Sequence, residues 1–359
     1  MSTSSPSPLH IDPAQAAQEM AAFQRKLAAG MTHLRGVSEP GYANTPREAI
    51  YREDKLTVWH MRGEREPTAR TPILIVYALV NTVWMTDLQP DRSLVRNLLA
   101  QGEDVYLIDW GYPDGADRWL TLDDYLNGYL DRCVDAVRAR HGLDKINLLG
   151  ICQGGAFSLC YTAMHPDKVR NLVTMVTPVD FRTPDNMLSH WVQNLDVDRF
   201  VDTLGNVPAA LMNWVYLMLK PMRLMQQKYV NLVDILDKPV ELENFLRMER
   251  WIFDSPDQAG EAFRQFVKDF YQGNKLVKGG LVIGGREVDL GLVSQPVLNI
   301  YAEQDHLVPP DASRALKRRV GTTDYTELAF KGGHIGIYVS GRAQREVPPA
   351  IHQWLRARD

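Results

Sequence analysis

The segment Gly150-Ile151-Cys152-Gln153-Gly154 sets a cysteine between two glycines in the pattern G-x-C-x-G. It falls between a run that reads as a strand, Lys145–Leu149, and one that reads as a helix, Gly155–Met164. A nucleophile presented on a strand–turn–helix elbow needs this context, because the turn is so tight that a Cβ on either side would strike neighbouring backbone. The N-terminus of the following helix points at the thiol and favours the thiolate. The backbone N–H of Gln153 would face an oxyanion forming on an attacked carbonyl. Cys133 lies on the apolar stripe of its helix and Cys160 lies two turns into the helix after the elbow, so both read as core.

A thiol nucleophile needs a base and a group that orients the base. Of the nine histidines, His306 and His334 lie late in the chain in loops after strand-like runs, whereas His352 lies inside the last helix. His334 closes Lys331-Gly332-Gly333-His334, directly after the strand-like Tyr325–Phe330, and the paired glycines allow close approach to the elbow. It is the expected base. Asp305, after Val297–Ala302, is the favoured acid, because the order nucleophile, acid, histidine puts the acid shortly before the histidine. Asp180, after Asn171–Val176, competes for that role, and His306 either contacts substrate or braces its loop. A second oxyanion donor is expected in Ala78-Leu79-Val80-Asn81, after the early buried run Ile73–Tyr77. The Val80 N–H is the candidate; Asn81 braces the loop, contacts substrate, or is an ordinary turn asparagine.

These residues need a scaffold, and the hydrophobic pattern supplies one. Leu56–Met61 alternates, Ile73–Tyr77 is a continuous apolar run typical of a strand buried on both faces, and Asp104–Asp109, Lys145–Leu149 and Asn171–Val176 read as further strands. Helical stretches at Ser93–Gln101, Leu122–Arg140 and Gly155–Met164 separate them. This β-α-β rhythm predicts a mostly parallel central sheet covered by helices. It breaks at Pro184 and returns after Gly285, with strands at Val297–Ala302 and Tyr325–Phe330, a helix near Asp311–Val320 and another near Ala350–Ala357. The expected organisation is an N-terminal tail and helix over 1–55, a sheet domain over 56–183 and 286–359, and a helical cap or lid over 184–285. Leu281–Leu290 reads as a hairpin turning at Gly284-Gly285. Near the N-terminus, Ser2–His10 reads as disordered, Asp12-Pro13 starts a helix carrying Met20, Phe23 and Leu27 on a face that must lie on something, and Gly30 supplies its stop. The cap is rich in methionine, and Met187, Met212, Met218, Met222, Met225 and Met248 fit either a surface that repacks around an apolar ligand or the core of a helical subdomain.

Composition excludes other classes. Forty basic and 44 acidic side chains give a net charge of −4, without the basic excess of a nucleic-acid binder. Three cysteines are too few for a disulfide scaffold and suit a reducing cytosol. No signal-peptide pattern opens the chain, and the longest apolar run, Ile73–Val80, is far short of the roughly 20 residues of a membrane span. Motifs for metal or nucleotide binding (H-E-x-x-H, C-x-x-C, G-x-x-x-x-G-K-[ST]) are missing from the sequence, so no metal is expected.

From about Leu56 onwards the chain resembles the polyhydroxyalkanoate synthases. The resemblance is carried by Val76-Tyr77-Ala78-Leu79-Val80-Asn81, Met85-Thr86-Asp87-Leu88, Tyr106-Leu107-Ile108-Asp109-Trp110-Gly111, the box Gly150–Gly155, Asp305-His306 and Gly332-Gly333-His334. Gln153 and the short N-terminal region make it most similar to the catalytic subunits of the two-component, class III kind. The resemblance implies an α/β-hydrolase fold and an acyltransferase that polymerises (R)-3-hydroxyacyl-CoA, mainly 3-hydroxybutyryl-CoA. It implies Cys152 as the acyl-carrying nucleophile, His334 as base and Asp305 as its partner, with coenzyme A thioester as substrate and no further cofactor. A second, non-catalytic subunit and a place on polymer granules in the cytoplasm are implied too. The apolar stretch Ala209–Leu219 reads as a contact between copies of the chain through the cap. Two rival readings share these residues: a cysteine hydrolase of thioesterase or dienelactone-hydrolase type, and a non-catalytic granule protein.

Overall fold

The structure is a computed structural model and describes residues 13–36, 41, 42, 44–222 and 228–359. The chain divides into two compact units, one made of Met1–Gly41 and Lys220–Arg250, the other of Tyr42–Leu219 and Trp251–Asp359. The expected disordered tail Ser2–His10 and the expected cap residue Asp12 lie outside the described residues.

In the smaller unit a helix spans Pro13–Gly36 and runs through Gly30 instead of stopping there. Gly30 is a packing site: a Cβ built on it would lie 2.7 Å from Cβ of Leu236. A missing side chain thus serves close contact and not termination. Met20, Phe23 and Leu27 are exposed on this helix. Lys26 reaches towards Asp237 at 3.7 Å, and Arg247 donates from Nε to the Gly41 carbonyl at 2.8 Å.

The larger unit is built on an eight-stranded sheet. Its strands in chain order are β1 (Arg47–Glu53), β2 (Leu56–Met61), β3 (Ile73–Val76), β4 (Val105–Asp109), β5 (Ile146–Ile151), β6 (Val169–Met175), β7 (Val297–Ala302) and β8 (Tyr325–Phe330). Their spatial order is β1-β2-β4-β3-β5-β6-β7-β8. β1 pairs antiparallel with β2, and β2 with β4; the other pairings are parallel. Every residue of β3 and β5 is buried, as the apolar run of β3 and the largely apolar β5 require, and Asn147 is buried with them. β1 was not anticipated: Arg-Glu-Ala-Ile-Tyr-Arg-Glu carries charges at both ends, which suits a sheet edge and hides the strand from a search for apolar runs.

The helix expected over Leu122–Arg140 is a π-helical turn, Asp124–Leu130, that passes into an α-helix, Asp131–His141, and its stripe Leu126, Leu130, Cys133, Val134 and Val137 is fully buried. The last helix starts earlier than expected and spans Gly341–Arg356 with Pro348 and Pro349 inside it. Ser340 caps it by accepting from Ala343 N–H at 3.1 Å, and burial of Val347, Pro348, Ile351, Trp354 and Leu355 offsets the backbone bonds the prolines cannot make. Between β6 and β7 the chain is mainly helical, with helices at Met187–Val192, Val197–Leu204, Ala209–Met218, Pro239–Phe253 and Gly260–Gln265. A two-residue hairpin follows, Val282–Ile283 against Arg286–Glu287, with Gly284 and Gly285 both at positive φ.

The parallel strands β3, β5, β6, β7 and β8 all end at one edge of the sheet. The elbow at the end of β5 is the tightest point there. A Cβ on Gly155 would fall 1.8 Å from Oγ1 of Thr177, just beyond β6. Gly155→Ala is therefore expected to lower stability by about 1–3 kcal/mol in urea unfolding. Adding Thr177→Ala to it should recover part of that loss; a Gly155→Ala protein as stable as wild type would contradict the packing described.

Candidate active site

Cys152 stands at the junction of β5 and the helix Gln153–Met164 with φ 55° and ψ −122°. Its N–H donates to Met175 O at 2.9 Å, and its carbonyl accepts from Gly155 N–H at 3.0 Å. Gly154 is forced by a second approach: a Cβ there would lie 2.2 Å from Val76 O, at the end of β3. The elbow is thus clamped between the ends of β3 and β6, and Cys152 alone of the three cysteines is partly accessible. Cys133 and Cys160 are fully buried, and burial pushes both thiols far above their ordinary range.

His334 follows β8 through Gly332 and Gly333, and Gly332 O accepts from Gln304 N–H at 2.8 Å, which ties this loop to the one carrying Asp305. His334 Nδ1 donates to Oδ2 of Asp305 at 2.6 Å, with both side chains buried. Oδ1 of Asp305 accepts from the N–H groups of Leu307 and Val308 at 2.8 and 2.9 Å. Since Nδ1 is turned to Asp305, Nε2 is the nitrogen left for the thiol, and the Cys152 sulfur is close enough to act on the His334 ring. Burial is the largest influence on this ring and disfavours its charged form. The Asp305 carboxylate and the Cys152 sulfur outweigh burial, and the imidazolium is held up to about 10. Asp180, the rival acid, is turned elsewhere: its Oδ1 accepts from Arg182 N–H and from Asn274 Nδ2, both at 2.9 Å.

Cys152 opens on a cavity of about 290 Å³. Leu79, Val80 and Gln153 line it beside the thiol, and Trp191, Met212, Tyr216, Phe263 and Tyr271 line it from the inserted helices. Among the described residues that line it none is charged. Burial holds the phenols of Tyr216 and Tyr271 far above their ordinary range, so both remain neutral. Such a chamber accepts an apolar or ester-bearing chain and leaves polyanionic groups outside.

Of the two expected oxyanion donors, Gln153 N–H is the first amide of the elbow helix, and Val80 belongs to the loop after β3. Asn81 is spent on its own turn, accepting from Thr82 N–H at 2.8 Å, and His306 is half-buried beside Asp305; neither lines the cavity. The sequence reading missed how tightly the loop after β3 is held. Oε1 of Gln153 accepts from Leu79 N–H at 2.9 Å, and Nε2 of Gln258 donates to Leu79 O at 2.9 Å. Indole N–H groups of Trp110 and Trp251 donate to the carbonyls of Tyr77 and Thr82, each at 3.0 Å. Single glutamines and tryptophans scattered along the chain carry no spacing signal that would have revealed this grip. Among the described residues no cluster of three or more His, Cys, Asp or Glu side chains has the form of a metal site, and no helix is long and apolar enough to cross a membrane.

Comparison with known proteins fits this geometry. The α/β-hydrolase fold family model matches residues 71–340. The chain is 64% identical over 98% of its length to the poly(3-hydroxyalkanoate) polymerase subunit PhaC of Allochromatium vinosum, covering 99% of that protein. It is 61% identical over 98% of its length to the protein of the same name from Thiocystis violacea, again covering 99% of it. Among solved structures, the monoacylglycerol lipase of Paleococcus ferrophilus matches with a TM-score of 0.52 and 18% identity, over 82% of this chain and 97% of that one; at that identity the likeness concerns the fold alone. The sheet order, the elbow and the two long matches lead to one conclusion: the chain belongs to the poly(3-hydroxyalkanoate) polymerase PhaC family of the α/β-hydrolase superfamily.

Proposed function

We propose that this chain is the catalytic subunit of a two-component, class III polymerase that joins short-chain (R)-3-hydroxyacyl units, mainly 3-hydroxybutyryl, through an acyl-Cys152 intermediate. One observation carries the reading: the cysteine on the elbow stands beside a His334–Asp305 pair and opens on a cavity whose described lining residues carry no charge. In the first half-reaction the Cys152 sulfur, with its proton already held on His334, attacks the thioester carbonyl. Val80 and Gln153 N–H groups stabilise the oxyanion. The carbon–sulfur bond to coenzyme A breaks, its thiolate takes the proton back from His334, and a new thioester joins the acyl group to Cys152. That exchange of one thioester for another is nearly balanced. In the second half-reaction the 3-hydroxyl of another unit gives its proton to His334 and attacks the acyl-enzyme, Cys152 leaves and recovers a proton, and an oxoester forms. Conversion of thioester to oxoester supplies the driving force.

Water must not compete, and the apolar chamber between Cys152 and the inserted helices serves that end. The inserted helices act as a lid, and their outward apolar stretch Ala209–Leu219 serves contact between copies of the chain. A second, non-catalytic subunit and the surface of a cytoplasmic polymer granule complete the assembly. These assignments rest on the family and on the chemistry of the site.

Incubated with (R)-3-hydroxybutyryl-CoA and its partner subunit, the protein is expected to release coenzyme A and to form insoluble polyester. Cys152→Ala should abolish both, and soluble hydroxy acid as the product would instead make the chain a thioesterase. Asp305→Ala is expected to slow turnover about 10³- to 10⁴-fold, while Asp180→Ala stays within about threefold of wild type. The reverse pattern would move the acid to Asp180.

The His334–Asp305 pair also sets a pH dependence. A histidine whose folded value is raised from 6.5 to about 10 adds stability that is complete below 6.5 and is lost as pH rises through about 10. The urea midpoint of wild type should therefore exceed that of Asp305→Asn most at pH 6, and the gap should narrow steadily up to pH 10. A gap that widens with pH would contradict the pairing.

A further inference from the structure

Gln258 lies in the insertion, between the helices Pro239–Phe253 and Gly260–Gln265, and it is 5% exposed. Its backbone is fixed by a pair of hydrogen bonds with Val207, N–H to O in both directions at 2.9 Å. From that anchor its side-chain amide donates to the Leu79 carbonyl at 2.9 Å and reaches Pro256 O at 3.3 Å. The carbonyl of Leu79 and the N–H of Val80 belong to the same peptide unit. In a planar trans peptide these two groups point in opposite directions, so whatever holds the oxygen also aims the hydrogen. On the other side of Leu79, its own N–H is held by Oε1 of Gln153, which belongs to the elbow. The peptide that carries the Val80 N–H is therefore set from two sides, by the elbow and by the insertion. A hydrogen bond to its carbonyl also polarises the unit and strengthens its N–H as a donor.

We infer that Gln258 is a positioning residue for the oxyanion hole: from the inserted helices it orients the Leu79–Val80 peptide so that the Val80 N–H meets the charge that develops when Cys152 attacks a thioester. The inference rests on the polymerase reading, which gives Val80 that role, and goes beyond it in making the donor's aim depend on the insertion. Trp251, at the C-terminal end of the helix Pro239–Phe253, grips the same loop at Thr82 O. An insertion displaced from these two carbonyls would leave Cys152, His334 and Asp305 together but release one of the two oxyanion donors. In that arrangement the thiol stays reactive while thioester attack is slow, and a closed lid and a competent oxyanion hole become one event.

The test separates attack on a carbonyl from reactivity of the thiol. Gln258→Met keeps the length of the side chain but removes its N–H, and Gln258→Glu keeps its shape while placing an oxygen against the Leu79 carbonyl. For each, coenzyme A release from (R)-3-hydroxybutyryl-CoA is compared with alkylation of Cys152 by iodoacetamide, a displacement at an sp³ carbon that forms no oxyanion. Both variants are expected to lose about ten- to hundredfold in kcat with KM little changed, and to alkylate at the wild-type rate, which also shows that the site is folded. Unchanged kcat in either variant that alkylates normally would overturn the inference. So would parallel losses in turnover and alkylation, since those would make Gln258 a support of the fold or of the Cys152–His334 pair. Failure of the polymerase reading appears separately, as a wild-type protein that is alkylated at Cys152 but releases no coenzyme A.

Discussion

At the elbow the backbone of Gly155 and the hydroxyl of Thr177 stand so close that no side chain fits between them, and the same helix start lies directly under the Val76 carbonyl at Gly154. This contact holds Cys152 in a left-handed conformation that a residue with a Cβ adopts at a cost of order 1–3 kcal/mol. The distortion is shared. Val176, one residue past β6, also has a positive φ, 44°, although it is β-branched, and its N–H is held by Ile300 O at 2.8 Å. The ends of two neighbouring strands are thus bent away from regular geometry so that the turn between them can raise a thiol clear of the sheet. Hydrogen bonds from Cys152 N–H to Met175 and from Val176 N–H to β7 keep the bent backbone paired while it is strained.

A thiol raised this way is useful only if its base stays fixed, and that depends on a buried carboxylate. Asp305 is taken fully from water, and its oxygens accept two backbone N–H groups and the His334 ring. These bonds hold the carboxylate in place against the ring. The fold supplies all of them locally. The backbone N–H donors are two and three residues downstream of Asp305, and the histidine arrives from the adjacent parallel strand, β8, in register with β7. The Ala302–Phe330 pairing sets the two loops side by side, so the parallel register of the last two strands fixes the Asp305–His334 distance.

How much of this was legible in the sequence follows from where the signal lies. β3 is an unbroken apolar run, β5 and β7 are apolar but for Asn147 and Asn299, and β7 and β8 have the limits their pattern indicates. The glycines of the elbow announced their own constraint. The residues that failed to speak did so for physical reasons. Arg47–Glu53 is an edge strand whose charges resemble a loop. Gly30 looks like a helix stop until its partner Leu236, some 200 residues on, is known. Pro348 and Pro349 look like a helix boundary until the apolar face they share with Val347, Ile351 and Leu355 is counted. In the site, Asp305 and Asp180 each follow a strand; chain order favours Asp305, and the three-dimensional register shows that it meets His334 while Asp180 meets Asn274. Gln258 stood furthest from reach, since its function depends on a single long-range hydrogen bond to a main-chain oxygen.

The chemistry of the chamber finally bears on the shape of the substrate. Coenzyme A is a polyanion at one end and a long uncharged arm at the other, and a cavity lined without charge admits only the arm with its acyl group. The wall continues outward in the same character. The helix Ala209–Met218 has its polar residue, Asn213, buried against Ser255 Oγ at 3.3 Å, while Leu211, Trp214 and Met218 face solvent. This inverts the usual amphipathic arrangement. Leu211, and Trp191 on the helix Met187–Val192, are exposed and also line the cavity, so apolar side chains border it on its outer side. In the proposed reaction, whose product is a water-insoluble chain that lengthens at the thiol, a polar rim would be a barrier at every cycle. An apolar one lets each added unit displace the last without desolvating a charged side chain.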